Sequence, residues 1–235
     1  ELTAYIHVND PDQDVCLAYW LLKNYDWVKT ISYNHPIQEL VRFAGLLDRT
    51  GGMYPFDLRC RMRKQINWIF YEYTKARVQG ELDDMTADQM HALIEKVGER
   101  ITKFAKGRVG QLDSDTRYDL LYKGTGWVMF REIGADARHQ ACSDHNVLAY
   151  VMLRASSGKH YNYSVGRVSK FVPFPVSNII DRCNAEEKII EPTAEIPRVW
   201  GGSELVSASS RRFGSKLPPE RVFAIAGEEV MKQNN

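Results

Sequence analysis

Close cysteine pairs are missing from this sequence. Its four cysteines stand apart at 16, 60, 142 and 183, which excludes a zinc ribbon and a dense disulfide framework and suits a reducing compartment. Long apolar runs are missing too. No stretch approaches the roughly 20 residues of a membrane span, and Glu1 does not open a signal peptide, so a soluble, cytoplasmic chain with no membrane partner is expected. Internal repeats and low-complexity tracts are absent. An excess of either charge is absent as well: 31 Lys and Arg face 30 Asp and Glu, a net charge of +1. Wrapping of nucleic acid by bulk charge is thereby excluded, and any phosphate site has to be local. What is present is ordinary globular composition, 44% hydrophobic and 26% charged over 235 residues. That allows one large domain or two modest ones and gives no case for disorder.

The balanced total hides uneven segments. The first 22 residues carry −4, residues 57–79 carry +4, residues 80–99 carry −5 and residues 198–221 carry +3. The middle pair reads as two solvated helix faces. The two ends are more informative.

Leu2 to Val8 reads as a strand, Asp14 to Asn24 as a helix apolar all round and therefore buried, and Val28 to Ser32 as a second strand. Pro36 suits the first position of a helix that runs to Asp48. The spacing of Leu58, Met62, Ile66, Ile69, Phe70 and Tyr73 is helical. Thr86 with Gln89 forms a capping box for a helix through Phe104. Lys106 to Asp115 is polar and is the best domain boundary. Beyond it Trp127–Phe130, Val147–Leu153 and Tyr161–Val168 read as strands, with Ser156–Ser157–Gly158 as a hairpin turn. Val176 to Asn184 and Pro218 to Lys232 read as helices. The expected fold is α/β. A shortened N-terminal parallel α/β domain with added helices (1–110) precedes a C-terminal α+β substrate-binding domain (116–235).

His7–Val8–Asn9–Asp10–Pro11–Asp12–Gln13–Asp14 follows the first strand and precedes the first helix, the place where open α/β sheets hold ligands. Carboxylates this close repel one another unless water, a cap donor or a metal ion relieves them. Asp12 or Asp14 can cap the helix, which explains one of them. Hard oxygen donors with one imidazole suit Mn²⁺ or Mg²⁺ better than zinc.

This arrangement resembles the first motif of the DHH phosphoesterase superfamily, which includes RecJ-like nucleases, oligoribonucleases and manganese pyrophosphatases. The resemblance implies a manganese-dependent phosphoesterase in which His7 and Asp12 ligate one metal and Asp14 the other. His35, in Tyr33–Asn34–His35–Pro36, stands where the family shows Asp-His-His-Pro, and Asp48, in Leu47–Asp48–Arg49–Thr50–Gly51–Gly52, is similar to its later Asp motif. Asp12, Asp14 and His35 are the implied catalytic groups, holding metal and water. The sequence departs from the family in the extra residue Asp10, in the lack of a bridging Asp before Tyr33 and in the short interval from His7 to His35.

At the other end, Trp200–Gly201–Gly202–Ser203 leads into Ser209–Ser210–Arg211–Arg212–Phe213–Gly214–Ser215–Lys216. Glycines, hydroxyls and cations together suit a phosphate, although glycine and serine are also what a surface loop uses. In the same superfamily a C-terminal domain grips the substrate phosphate with a Gly-Gly turn, here followed by Ser203 in place of His. Arg167, in Ser164–Val165–Gly166–Arg167, resembles that domain's Ser-x-Arg strand. The implied substrate contacts are Arg167, Gly201, Gly202, Ser203, Ser210, Arg211, Arg212, Ser215 and Lys216. The expected partner is a nucleotide, a short oligonucleotide, a nucleic-acid end or another phosphorylated small molecule. A non-catalytic nucleotide-, nucleic-acid- or protein-binding descendant is the alternative. His139, Cys142, Asp144 and His145 fit no standard zinc spacing. Asp113 and Asp115 read as turn residues, and Trp68 to Arg77 as a packed helix face.

Overall fold

A computed structural model describes residues 12–154, 160–192, 199–210 and 213–233. The chain divides into two compact units, one of residues 1–49, 56–77 and 84–114, the other of residues 50–55, 78–83 and 115–235. The first strand expected over Leu2–Val8 and the turn expected at 156–158 lie outside the described residues.

The described part of the first unit is helical. Its helices are α1 (Gln13–Lys23), α2 (Tyr25–Val28), α3 (Pro36–Arg49), α4 (Arg61–Ile69), α5 (Tyr71–Gln79) and α6 (Ala87–Ala105). Two short segments of this stretch, residues 50–55 and 78–83, belong to the second unit. The sequence signals for the ends hold: Pro36 opens α3. Thr86 and Gln89 make both bonds of the capping box on α6, at 3.3 and 2.8 Å. The single helix expected from Leu58 to Tyr73 is broken at Phe70, whose backbone leaves the helical region between α4 and α5.

The strand expected over Val28–Ser32 does not form. Val28 ends α2, and Thr30 closes a turn with both its N–H and its hydroxyl donating to the Trp27 carbonyl. A strand here would have no described neighbour to satisfy its backbone, so local turns do so instead. Nor is α1 buried all round: Cys16, Leu17 and Trp20 face the core while Leu22 is exposed. Trp20 packs over Gly98 of α6 and donates its indole N–H to Thr102 Oγ1 at 2.8 Å. Ile37 and Leu40 of α3, Ile66 and Ile69 of α4, and Val97 and Ile101 of α6 are buried with it.

The second unit is a mixed α/β layer structure. Its strands are β1 (Tyr118–Gly124), β2 (Trp127–Glu132), β3 (Ala149–Arg154), β4 (Asn162–Arg167), β5 (Gly201–Gly202) and β6 (Val206–Ala208). They form one six-stranded sheet in the order β1-β2-β3-β4-β6-β5. The parallel pair expected in the N-terminal domain is found here, between β2 and β3, while the other neighbouring strands of the sheet pair antiparallel. Parallel neighbours need a crossover, and α7 (Ala137–Asp144) supplies it.

Strand alternation sends Trp127 and Met129 to one face and Val128 and Phe130 to the other. The first face is covered by α8 (Val176–Ile190) and α9 (Pro219–Gln233) through Ile179, Cys183, Val222 and Ile225. The second is covered by α7 through Ala137, Ala141 and Cys142, with Met53 beside them. Burial on both faces explains why β2 and β3 read as continuous apolar runs. No helix among the described residues is long and apolar enough to cross a membrane.

Candidate functional site

Asp12 is the N-cap of α1. Its backbone is extended, and its Oδ1 accepts the Val15 N–H at 3.1 Å, satisfying one of the helix's open donors. Asp14 follows in the first turn, where the helix dipole favours a carboxylate. Burial pushes the Asp12 carboxyl up to about 6, against the Val15 N–H that pulls it down. A hydrogen bond with the Asp14 carboxyl and the charges of Asp14 and Asp48 raise it further. Three of the expected ligands are thus electrostatic neighbours within the first unit.

Beneath them the buried Cys16 thiol is pushed up to about 12, by burial first and then by the charges of Asp12 and Asp14. Beside these carboxylates it is held as the neutral thiol.

His35 does not join this group. It precedes Pro36 at the start of α3, while Asp48 stands next to the last residue of the same helix. Thirteen residues at 1.5 Å each separate them by about 20 Å. His35 has a local task instead: its Nδ1 accepts the Ile37 N–H at 3.2 Å, and its ring meets the Trp27 ring edge-on at 5.2 Å. His7 lies outside the described residues. Among the described residues no group of three or more His, Cys, Asp or Glu side chains is arranged to hold a metal ion.

The contacts expected to bind substrate in the second unit are largely occupied by the fold. Arg167, at the end of β4, donates from Nε to the Glu204 carbonyl and from Nη1 to the Val172 carbonyl, each at 3.0 Å. Its guanidinium pins two loops. Gly201 and Gly202 form β5, and a Cβ on Gly202 would stand 2.5 Å from the Val206 carbonyl oxygen. The glycine there serves a close backbone approach. Ser203 Oγ accepts from the Leu205 and Val206 N–H groups at 3.3 and 3.1 Å, closing the turn into β6. Ser210 Oγ accepts from Phe213 N, and Arg211 and Arg212 lie outside the described residues.

Ser215 is fully buried and donates its hydroxyl to Glu187, and Lys216 pairs through Nζ with Glu191. Glu187 also accepts from Trp200 Nε1 at 3.3 Å and Lys216 N at 3.2 Å. This buried carboxylate on α8 organises the whole Trp200–Lys216 neighbourhood, and sequence reasoning passed it over. Its signal was present: Val176, Ile179, Ile180 and Cys183 set the buried stripe of α8, and Glu187 falls on its next turn.

The residues set aside on sequence grounds have structural partners. Cys142 is packed in the α7 face of the sheet, and Tyr118 donates to Asp144 at 2.9 Å and lies 3.3 Å from His145 Nε2. Asp113 pairs with Lys64 at 2.6 Å, and Asp115 accepts from the Arg117 side chain at 2.9 and 2.7 Å. No protein-family model matches the chain, and no curated protein matches it either.

Proposed function

We propose that the chain is a metal-dependent phosphoesterase using Mn²⁺ or Mg²⁺ on a nucleotide, short oligonucleotide or other phosphorylated small molecule. In its finer architecture we read the first unit as a shortened DHH-type metal domain and the second as its substrate domain. The observation that carries this reading is the crowding of negative charge at Asp12, whose carboxyl is raised by burial first and then by Asp14 and Asp48. A carboxylate beside the C-terminal end of α3 opposes the helix dipole, and two more acidic groups nearby compound the cost. Such a set is relieved by a divalent cation. Carboxylates are hard oxygen donors, the chemistry that suits Mn²⁺ or Mg²⁺.

Asp12 and Asp14 would hold the ion, with Asp48 adding its charge from the end of α3. The bound ion supplies a water acidified towards neutral pH and a counter-charge for the phosphoryl oxygens. Asp12 keeps its orientation through the Val15 N–H, which leaves its second oxygen for other partners.

A second reading, binding without turnover, is favoured by the position of His35 at the far end of α3, bonded to the Ile37 N–H. The test is a thermal melt with and without Mn²⁺, with hydrolysis of bis(4-nitrophenyl) phosphate and of a dinucleotide in parallel. At about 100 times its Kd an ion stabilises by about 2.7 kcal/mol, roughly 5–10 °C for a chain of this size. That rise is expected in wild type and absent in the double variant Asp12→Asn, Asp14→Asn. Equal shifts in both proteins refute the metal site. A shift confined to wild type without turnover selects the second reading.

A further inference from the structure

No further inference is drawn: the strongest candidate, the cavity of about 360 Å³ between the start of α8 and the end of α9, offers a ligand only a helix N-terminus and two cations already engaged, Arg167 by the Glu204 and Val172 carbonyls and Lys232 by Glu229, and nothing in the structure shows what occupies it.

Discussion

Replacing Asp12 by Asn separates the two things this carboxylate does. As N-cap it accepts the Val15 N–H, and Asn caps about as well as Asp, so the helix end is retained. As a charge it is held against burial, Asp14 and Asp48, which push it from the usual value near 4 to about 6. Above pH 6 the folded protein carries this carboxylate ionised at a disadvantage that the unfolded chain does not have. Between about pH 4 and 6 the folded state holds a proton that the unfolded state has lost, so stability falls as pH rises through that window. Below pH 4 both states are protonated and the group contributes nothing further.

A rise from near 4 to about 6 is worth about 3 kcal/mol at most, and partial exposure to solvent cuts this to about 1–2 kcal/mol. Asp12→Asn should therefore stabilise the metal-free protein by about 1–2 kcal/mol near pH 7.5 and by little near pH 4. Asp12→Ala gains the same relief but loses about 1 kcal/mol of capping, and should come out near wild type. Urea titrations in chelator at both pH values, followed by tryptophan fluorescence, measure this. An Asn variant less stable than wild type near pH 7.5, or a difference that does not shrink on acidification, refutes the electrostatic account. With Mn²⁺ present the ranking should reverse, because only wild type then has the full set of donors.

Two further outcomes concern the second unit. Glu187→Ala removes the acceptor shared by Ser215, Trp200 and Lys216 and leaves buried donors unmet. A loss of about 3 kcal/mol in chemical denaturation is expected, with a red shift in Trp200 emission, and a loss under about 1 kcal/mol contradicts the organising role. Gly166→Ala places a methyl 2.5 Å from the Tyr150 hydroxyl, on a fully buried ring that has no room to withdraw. It should lower stability by about 1–3 kcal/mol, and an unchanged melting temperature would show that the ring moves freely.

The parts of this fold that local chemistry decides were legible. Thr86 and Gln89 announce α6, Pro36 announces α3, and the apolar runs of β2 and β3 announce a buried sheet. What was not legible depends on neighbours distant in sequence. Val28–Ser32 has strand-forming residues, yet a strand exists only with a pairing partner, and the backbone closes turns instead. Phe70, fully buried, leaves the helical region between α4 and α5, a local change of backbone that the apolar period does not record.

The candidate site divides in the same way. Asp12 and Asp14 share one helix start, so their proximity was readable. Asp48 joins them only through the packing of α1 against α3. His35 is excluded by a length that the sequence already contains: thirteen helical residues set it about 20 Å from Asp48. Once α3 is recognised as one helix, His35 and Asp48 cannot both be ligands of one ion.

Pairing across the fold also decides which cations are left for an anionic ligand. Cations attract an anionic ligand only in so far as the fold leaves their charge unneutralised. Lys216 and Arg167 stand in segments that look made for phosphate, but Glu191 takes the first and two backbone carbonyls take the second. Lys103, Lys106 and Arg108 sit in a stretch with no phosphate-binding signature, yet a glycine turn gathers them, and among the described residues no carboxylate pairs with them. A local motif records which groups are available in composition. Tertiary pairing decides which charges remain for a ligand.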